Sequence, residues 1–276
     1  MADLAERAAA PVHGPGRAHP VGLAAVLFVV EGVLTWYKRN WRASAISSVV
    51  QPVLFLLALG FGFGSQVDPG PATAGQSYVV YLAPALLVAT TVQLAAFECT
   101  YPVLGGFKWQ AQYTAIAATP ITARQIVSGH LTWVMLRMAS STLVFLAVAA
   151  VLGAVTSPAV LLSFLVAVLA GMAVAAPVTA YSATLESEAP FSSLFRFVIL
   201  PMTLLAGTFF PVEALPAWIR PLAWVTPLWH GTELARGAVF GGLNPWAAVG
   251  HLAFLGAMFA AGAVLATRFF ARRLAR

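Results

Sequence analysis

The sequence predicts an all-α polytopic membrane protein, and three observations carry that prediction. Of 276 residues, 60% are hydrophobic and only 9% are charged, whereas soluble domains carry roughly a quarter charged residues. The apolar residues fall in long unbroken runs such as STLVFLAVAAVLGAV and PAVLLSFLVAVLAGMAVAAPV, not in the alternating segments of about ten residues that build a transmembrane barrel. A hydrocarbon core about 30 Å thick takes roughly 20 apolar residues as a helix. Six segments reach that length, at about 45–64, 78–99, 127–152, 159–184, 191–210 and 246–267.

Residues 1–20 read as a flexible cytoplasmic tail, in which Asp3, Glu6 and Arg7 precede Pro11, Gly14, Pro15 and Gly16. The first apolar run, VGLAAVLFVV, is followed by its positive charges instead of preceded by them, the reverse of a secretory signal. Over 21–43, Glu31, Thr35, Lys38 and Arg42 recur at helical spacing with Arg39 beside them, while Val29 and Val33 turn elsewhere. That pattern predicts an amphipathic helix along the cytoplasmic surface before the chain turns into the first span. Trp36, Tyr37 and Trp41 suit the headgroup level. The alternative is a seventh spanning helix with Glu31 inside it, which the cost of a carboxylate at the bilayer centre disfavours.

The net charge of +6 comes from 15 Lys and Arg against 9 Asp and Glu. In a membrane protein this excess reads as topology, not as a nucleic-acid surface. With the six spans in place, twelve of the 15 basic residues fall on one side, only Arg220 and Arg236 on the other, and Arg137 within a span. Both termini are therefore expected in the cytoplasm. The single Cys99 excludes an intrachain disulfide and a cysteine metal cluster.

Enzymatic signatures are missing. There is no G-x-x-x-x-G-K-[ST], so no nucleotide is expected to bind this chain, and no H-E-x-x-H, so no metal is expected either. Ser128-Gly129-His130 lacks the spacing of a nucleophile with its base. Glu213, His230 and Glu233 form the one cluster an intramembrane enzyme acting on a lipid-linked substrate could use. That enzyme, and a non-catalytic assembly scaffold, stand as alternatives to a transport function with no catalytic residue.

Two segments outside the spans are distinctive. The loop 100–126 is long and weakly charged; Gln110 to Ala118 favours a short helix, stopped at Thr119-Pro120 because the residue before proline avoids helical backbone, and Thr122 suits the cap of the next helix. A short helix offering Tyr113 and Ile116 to another protein's groove and a plain interfacial connector are equally compatible with this spacing. Residues 211–233 are too charged to span and too apolar for a wet loop. Pro211, Pro216, Pro221 and Pro227 cut them into short pieces, and Trp218, Trp224 and Trp229 can settle at an interface. They read as an extracellular cap over a transport path or as a tryptophan-rich surface loop. Arg137 lies roughly 15 Å into its span; it either lines a polar path with His130 and Ser141 or pairs with Glu98 or Glu186, the pairing being favoured.

The string Tyr113-Thr-Ala-Ile-Ala-Ala-Thr-Pro-Ile-Thr122, followed by Ile126, Gly129 and Trp133, resembles the coupling-loop motif of ABC-2-type export permeases, nearest to nodulation-type lipooligosaccharide exporters and their drug-resistance relatives. Gly207-Thr-Phe-Phe-Pro-Val-Glu-x-Leu-Pro216, then Pro227-Leu-x-His230 and Arg236, resembles the family's other motif. The resemblance implies a bacterial plasma-membrane permease that pairs with a second copy of itself and with two cytoplasmic ABC ATPases, which hold ATP and Mg. It assigns ATPase coupling to Gln110, Ala111, Gln112, Tyr113, Thr114, Ile116, Thr119 and Pro120. It makes 211–233 a re-entrant helical hairpin before the last span, with Phe210, Pro211, Glu213, Trp218, Arg220, Trp224, Trp229, His230 and Glu233 as cap residues and the charged ones near the outer surface. Related sequences commonly carry acidic residues in the coupling loop, where this chain has Lys108 and Gln110. The implied cargo is amphipathic or hydrophobic: a glycolipid, a lipid-linked saccharide or a drug.

Overall fold

The computed structural model describes residues 22–275, and all regular structure among them is helical. The tail expected over 1–20 lies outside the described residues, as does the side chain of Arg42.

The first helix, α1, runs unbroken from Leu23 to Phe55, about 50 Å at 1.5 Å per residue. It passes directly into a π-helical stretch, Leu56–Gly62, and a 3-10 turn, Phe63–Gln66. The turn expected between a surface helix at 21–43 and a span starting at 45 is therefore absent. The sequence gives a reason: from Val33 to Gln51 there is neither glycine nor proline to interrupt the hydrogen-bond ladder. The amphipathic pattern is real all the same. Glu31, Thr35, Lys38 and Arg39 are exposed, while Ala25, Val29 and Val30 are buried.

The helices that follow are α2 (Tyr78–Glu98), α3 (Tyr101–Lys108), α4 (Gln112–Ala117), α5 (Ala123–Val151) and α6 (Val160–Ser182). Then come α7 (Ala189–Leu194) and α8 (Leu200–Leu205), joined by a π-helical turn at Phe195–Ile199, and α9 (Arg220–Trp224), α10 (Pro227–Phe240) and α11 (Pro245–Leu274). Tyr78–Lys108, α5, α6 and α11 are long and apolar enough to cross a membrane. The first and fifth expected spans correspond to shorter apolar stretches, Val53–Gln66 and Ala189–Leu205. In the second of these, Pro201 has no N–H to return to Phe197, and the ladder widens to a π turn just before it.

Helix α6 is the centre of the bundle: α2, α5, α10 and α11 all pack on it, while α1 lies outside along α5. Hydrocarbon tails are as apolar as leucine, so tight packing of small residues does much of the joining in a membrane. The inward faces are accordingly small, with Ala167, Ala170, Ala173, Ala175, Ala176 and Ala180 of α6 buried. A methyl group on Gly231 of α10 would stand 2.7 Å from Val88 of α2 and 2.8 Å from Ala170 of α6. One on Gly262 of α11 would stand 2.5 Å from the Pro177 ring of α6. Only a bare backbone admits these approaches.

Helices α1 and α5 run parallel and in step. Gly129 lies against Val26 and Val29, and further along Tyr37 meets Trp133, with ring centroids 5.3 Å apart. A helix crossing α5 at a steep angle would touch it at one point only.

Candidate functional site

One candidate site is the elbow formed by α3 and α4 at the end of the bundle where α6 and α11 finish. Ala111 turns the chain with a left-handed φ of +49°, and α4 follows for six residues, under two turns. Thr122 then opens α5 with a capping box: its hydroxyl accepts from the Gln125 N–H at 3.3 Å, and the Thr122 N–H donates to Gln125 Oε1 at 2.8 Å. Among the expected coupling residues, Gln110, Ala111, Thr114, Thr119 and Pro120 are exposed, Gln112 and Ile116 half-buried.

Tyr113 is not free to dock elsewhere. It is buried, its ring 4.9 Å from Phe107 of α3 and 5.1 Å from Phe270 of α11, its hydroxyl 3.4 Å from His130 Nδ1 of α5. Burial raises its pKa above the ordinary tyrosine value, so it stays neutral. Gly106 makes the room, since a Cβ there would stand 2.5 Å from the Tyr113 ring. The physical reason is geometric: on so short a helix the large apolar side chains, Tyr113 and the half-buried Ile116, secure the helix to its own bundle. The outward face carries Trp109 instead, 62% exposed and not singled out from the sequence.

Charges complete the elbow. Arg273 of α11 donates to the carbonyls of Ala183 and Leu185 past the end of α6, at 3.1 and 2.8 Å, and stacks 4.3 Å over Phe107. Its Nη2 lies 3.6 Å from Glu186, which also meets Lys108 at 3.9 Å and accepts from it through its backbone carbonyl. A cation over the C-terminal carbonyls of a helix is favourable. Through Phe107, Lys108 and Tyr113, the elbow is thus clasped to the ends of α6 and α11.

A second candidate is a cavity of about 830 Å³ between α2, α5 and the α7–α8 segment. Leu94, Phe97, Phe145, Phe195 and Ile199 give it apolar walls, and Thr90, Gln93, Ser141, Thr203, Arg137 and Arg196 give it polar ones. Arg137 is buried and paired: Nε lies 3.4 Å from Glu98 Oε1 and Nη1 donates to the Tyr37 hydroxyl at 3.1 Å. The pairing is with Glu98, not Glu186, and its outer edge still faces the cavity beside Ser141. His130 faces away, toward Tyr113.

The hairpin after α8 is deeper than the expected cap. Val212–Ala214 and α9 are short, but α10 continues past 233 to Phe240 and buries Leu228, Gly231, Thr232, Ala235 and Arg236. Arg236, expected near the outer surface, is 9% exposed. It lies on the inward stripe with Leu228 and Thr232, and its guanidinium stacks 3.9 Å from the Tyr81 ring centre. It donates to the Gly207 and Thr208 carbonyls at 2.6 and 3.0 Å, while Tyr78 donates to the Phe209 carbonyl at 2.9 Å. Both parts of the second motif therefore meet in one turn, where Gly207 takes a φ of +81° that glycine alone adopts without strain.

Trp218 and Trp224 are exposed, as are Phe210 and Glu213, whereas Trp229 is half-buried. Arg220 folds back on the hairpin, donating to Leu215 and Glu213 carbonyls at 3.0 and 2.7 Å. His230 pairs with His251 of α11, Nδ1 to Nδ1 at 2.7 Å, not with Glu213 or Glu233. Among the described residues no three His, Cys, Asp or Glu gather as a metal site.

The architecture is that of a multi-pass helical membrane protein. Residues 26–240 match the family described as ABC-2 type transporter, and the chain belongs to that family. It is 30% identical over 220 residues to Nodulation protein J of Rhizobium leguminosarum bv. viciae, covering 76% of this chain and 84% of that protein. Similarity to Nodulation protein J of Rhizobium meliloti (strain 1021) is 28% over 242 residues, covering 87% and 90% respectively. The chain is a transmembrane permease subunit of an ABC exporter, and not an enzyme.

Proposed function

We propose that two copies of this chain form the membrane half of an ATP-driven exporter in a bacterial plasma membrane, each engaging one cytoplasmic ABC ATPase that holds ATP and Mg. The observation that carries this reading is the elbow: one face of α4 is clasped to the ends of α6 and α11 through Tyr113, while Trp109, Gln110, Thr114 and Ala115 stay open. A lever needs a rigid inner attachment and a free outer face, and both are present. Closure of the ATPases pushes the elbow, and the push reaches α6, which touches α2, α5, α10 and α11.

The cavity between α2, α5 and α7–α8 is the half-path for substrate, completed by the second copy. Its mixed walls suit an amphipathic or hydrophobic cargo, a glycolipid, lipid-linked saccharide or drug, better than a large hydrophilic polymer. The hairpin 206–240 closes the far end, with its turn tied to α2 through Arg236 and Tyr78.

The test is affinity purification of the tagged chain from its native membrane in mild detergent. Expected are a co-purifying P-loop ATPase and its loss when Trp109 and Thr114 are replaced by Ala and Arg while the variant remains folded. Recovery of the chain without an ATPase, or binding indifferent to these two positions, overturns the reading.

A further inference from the structure

A second cavity, about 710 Å³, lies on another side of the bundle, between the first half of α5 and the second half of α11, with Met172 of α6 at its base. Its lining changes along its length. At one end stand Arg124 and Arg268, next come the hydroxyls of Ser128, Thr132 and Thr267, and beyond them the walls are apolar: Leu131, Met135, Phe259 and Val264. Because α5 begins where α11 ends, both arginines occupy the same end of the groove, the end that carries the elbow.

Both arginines are exposed, and neither has an ion-pair or hydrogen-bond partner among the described residues. From Arg124 to Met135 the groove runs roughly 16 Å along α5, about the depth of one leaflet of a hydrocarbon core near 30 Å thick. Two unpaired cations, a hydroxyl step and an apolar track one leaflet deep are complementary to a lipid carrying a negative phosphate. Basic pockets between helices at the membrane surface hold anionic headgroups in this way.

We infer that this groove is a binding site for one anionic glycerophospholipid, with its phosphate between Arg124 and Arg268, its glycerol oxygens at Ser128 and Thr132, and an acyl chain along Leu131, Met135 and Phe259. The leaflet is cytoplasmic by the orientation proposed above; the binding itself does not depend on that orientation or on an ATPase partner.

The test is native mass spectrometry of the full-length chain in detergent with equimolar phosphatidylglycerol and phosphatidylcholine. Expected is retention of one phosphatidylglycerol per chain, preferred roughly tenfold or more over phosphatidylcholine, and loss of that preference in R124Q/R268Q. A second variant, V264W, narrows the apolar track without touching either charge and is expected to lower retention of both lipids. Equal retention of the two lipids by the unaltered chain overturns the proposal without recourse to any variant, and so does an undiminished preference in R124Q/R268Q. Displacement of phosphatidylglycerol by millimolar inorganic phosphate marks a simple anion site and also overturns it. None of these outcomes bears on whether the chain captures an ATPase, so the two readings fail separately.

Discussion

The guanidinium of Arg236 sits 3.9 Å from the centre of the Tyr81 ring while two of its nitrogens hold the carbonyls of Gly207 and Thr208. One buried side chain thereby joins α10, α2 and the turn that follows α8. The planar fork and the stacked face are both in use, and lysine offers neither. Arg236→Lys is expected to lower the apparent Tm in detergent, and Arg236→Met to lower it further. Methionine leaves two carbonyls unpaired at about 1–3 kcal/mol each. Identical melting of the three proteins would show that the turn is held by something else.

The elbow yields a graded series at one residue. Tyr113→Phe keeps the ring among Phe107 and Phe270 and gives up only a long 3.4 Å contact to His130, so a loss under about 1 kcal/mol is expected. Tyr113→Ala empties the pocket and is expected to cost about 3–5 kcal/mol. Gly106→Val pushes on the same ring from the other side and is expected to cost about 1–3 kcal/mol through overpacking. Unfolding monitored by tryptophan fluorescence distinguishes the three; a Tyr113→Ala protein as stable as the parent would remove the clasp from the mechanism.

Trp109 calls for the opposite pattern. It packs little against its own chain, being 62% exposed, so Trp109→Ala is expected to leave stability within about 0.5 kcal/mol. As a large aromatic on the open face it is the natural anchor for a partner, and truncating such an anchor costs about 2 kcal/mol or more. Binding to the ATPase is therefore expected to weaken by roughly thirtyfold, measured by titration of the purified subunits. Unchanged affinity would place the contact elsewhere on the elbow.

What was legible in the sequence follows from which forces act locally. The spans at α2, α5, α6 and α11 are written in hydropathy, because each must satisfy its own backbone in lipid. Thr122 is legible as a cap for the same local reason, whereas its reciprocal partner Gln125 is found in the structure. The Arg137 partner was narrowed to two carboxylates, since a charge inside a span has few ways to be neutralised. The unbroken α1 is not legible in composition, because a change from amphipathic to apolar residues reads as a turn even where no breaker residue stands. The outward reading of Tyr113 rests on the short loop helix and the motif resemblance, and that of Arg236 on its charge; α10's own periodicity puts Arg236 on the stripe of Leu228 and Thr232. Phe107, Phe270 and Arg273 come together only through tertiary contact, and nothing local announces them.

Arg137 and Glu98 allow the structural and the transport roles of one residue to be separated. Removing one member of a buried pair leaves an uncompensated charge, at about 3–5 kcal/mol, whereas exchanging both for apolar groups of similar volume is often near neutral. Ordinary interhelical hydrogen bonds in membranes average only about 0.6 kcal/mol, so the two cases are easily told apart. R137M and E98L are each expected to destabilise strongly, and R137M/E98L to recover most of the loss, giving a coupling energy of about 2 kcal/mol or more. Arg137 also borders the 830 Å³ cavity beside Ser141 and Thr142. If its outer edge meets cargo, the double variant regains stability but not transport in reconstituted vesicles. If the pair only braces α5 against α2, stability and transport return together. Both are measured on the same preparation, so a loss of transport cannot be mistaken for a loss of fold.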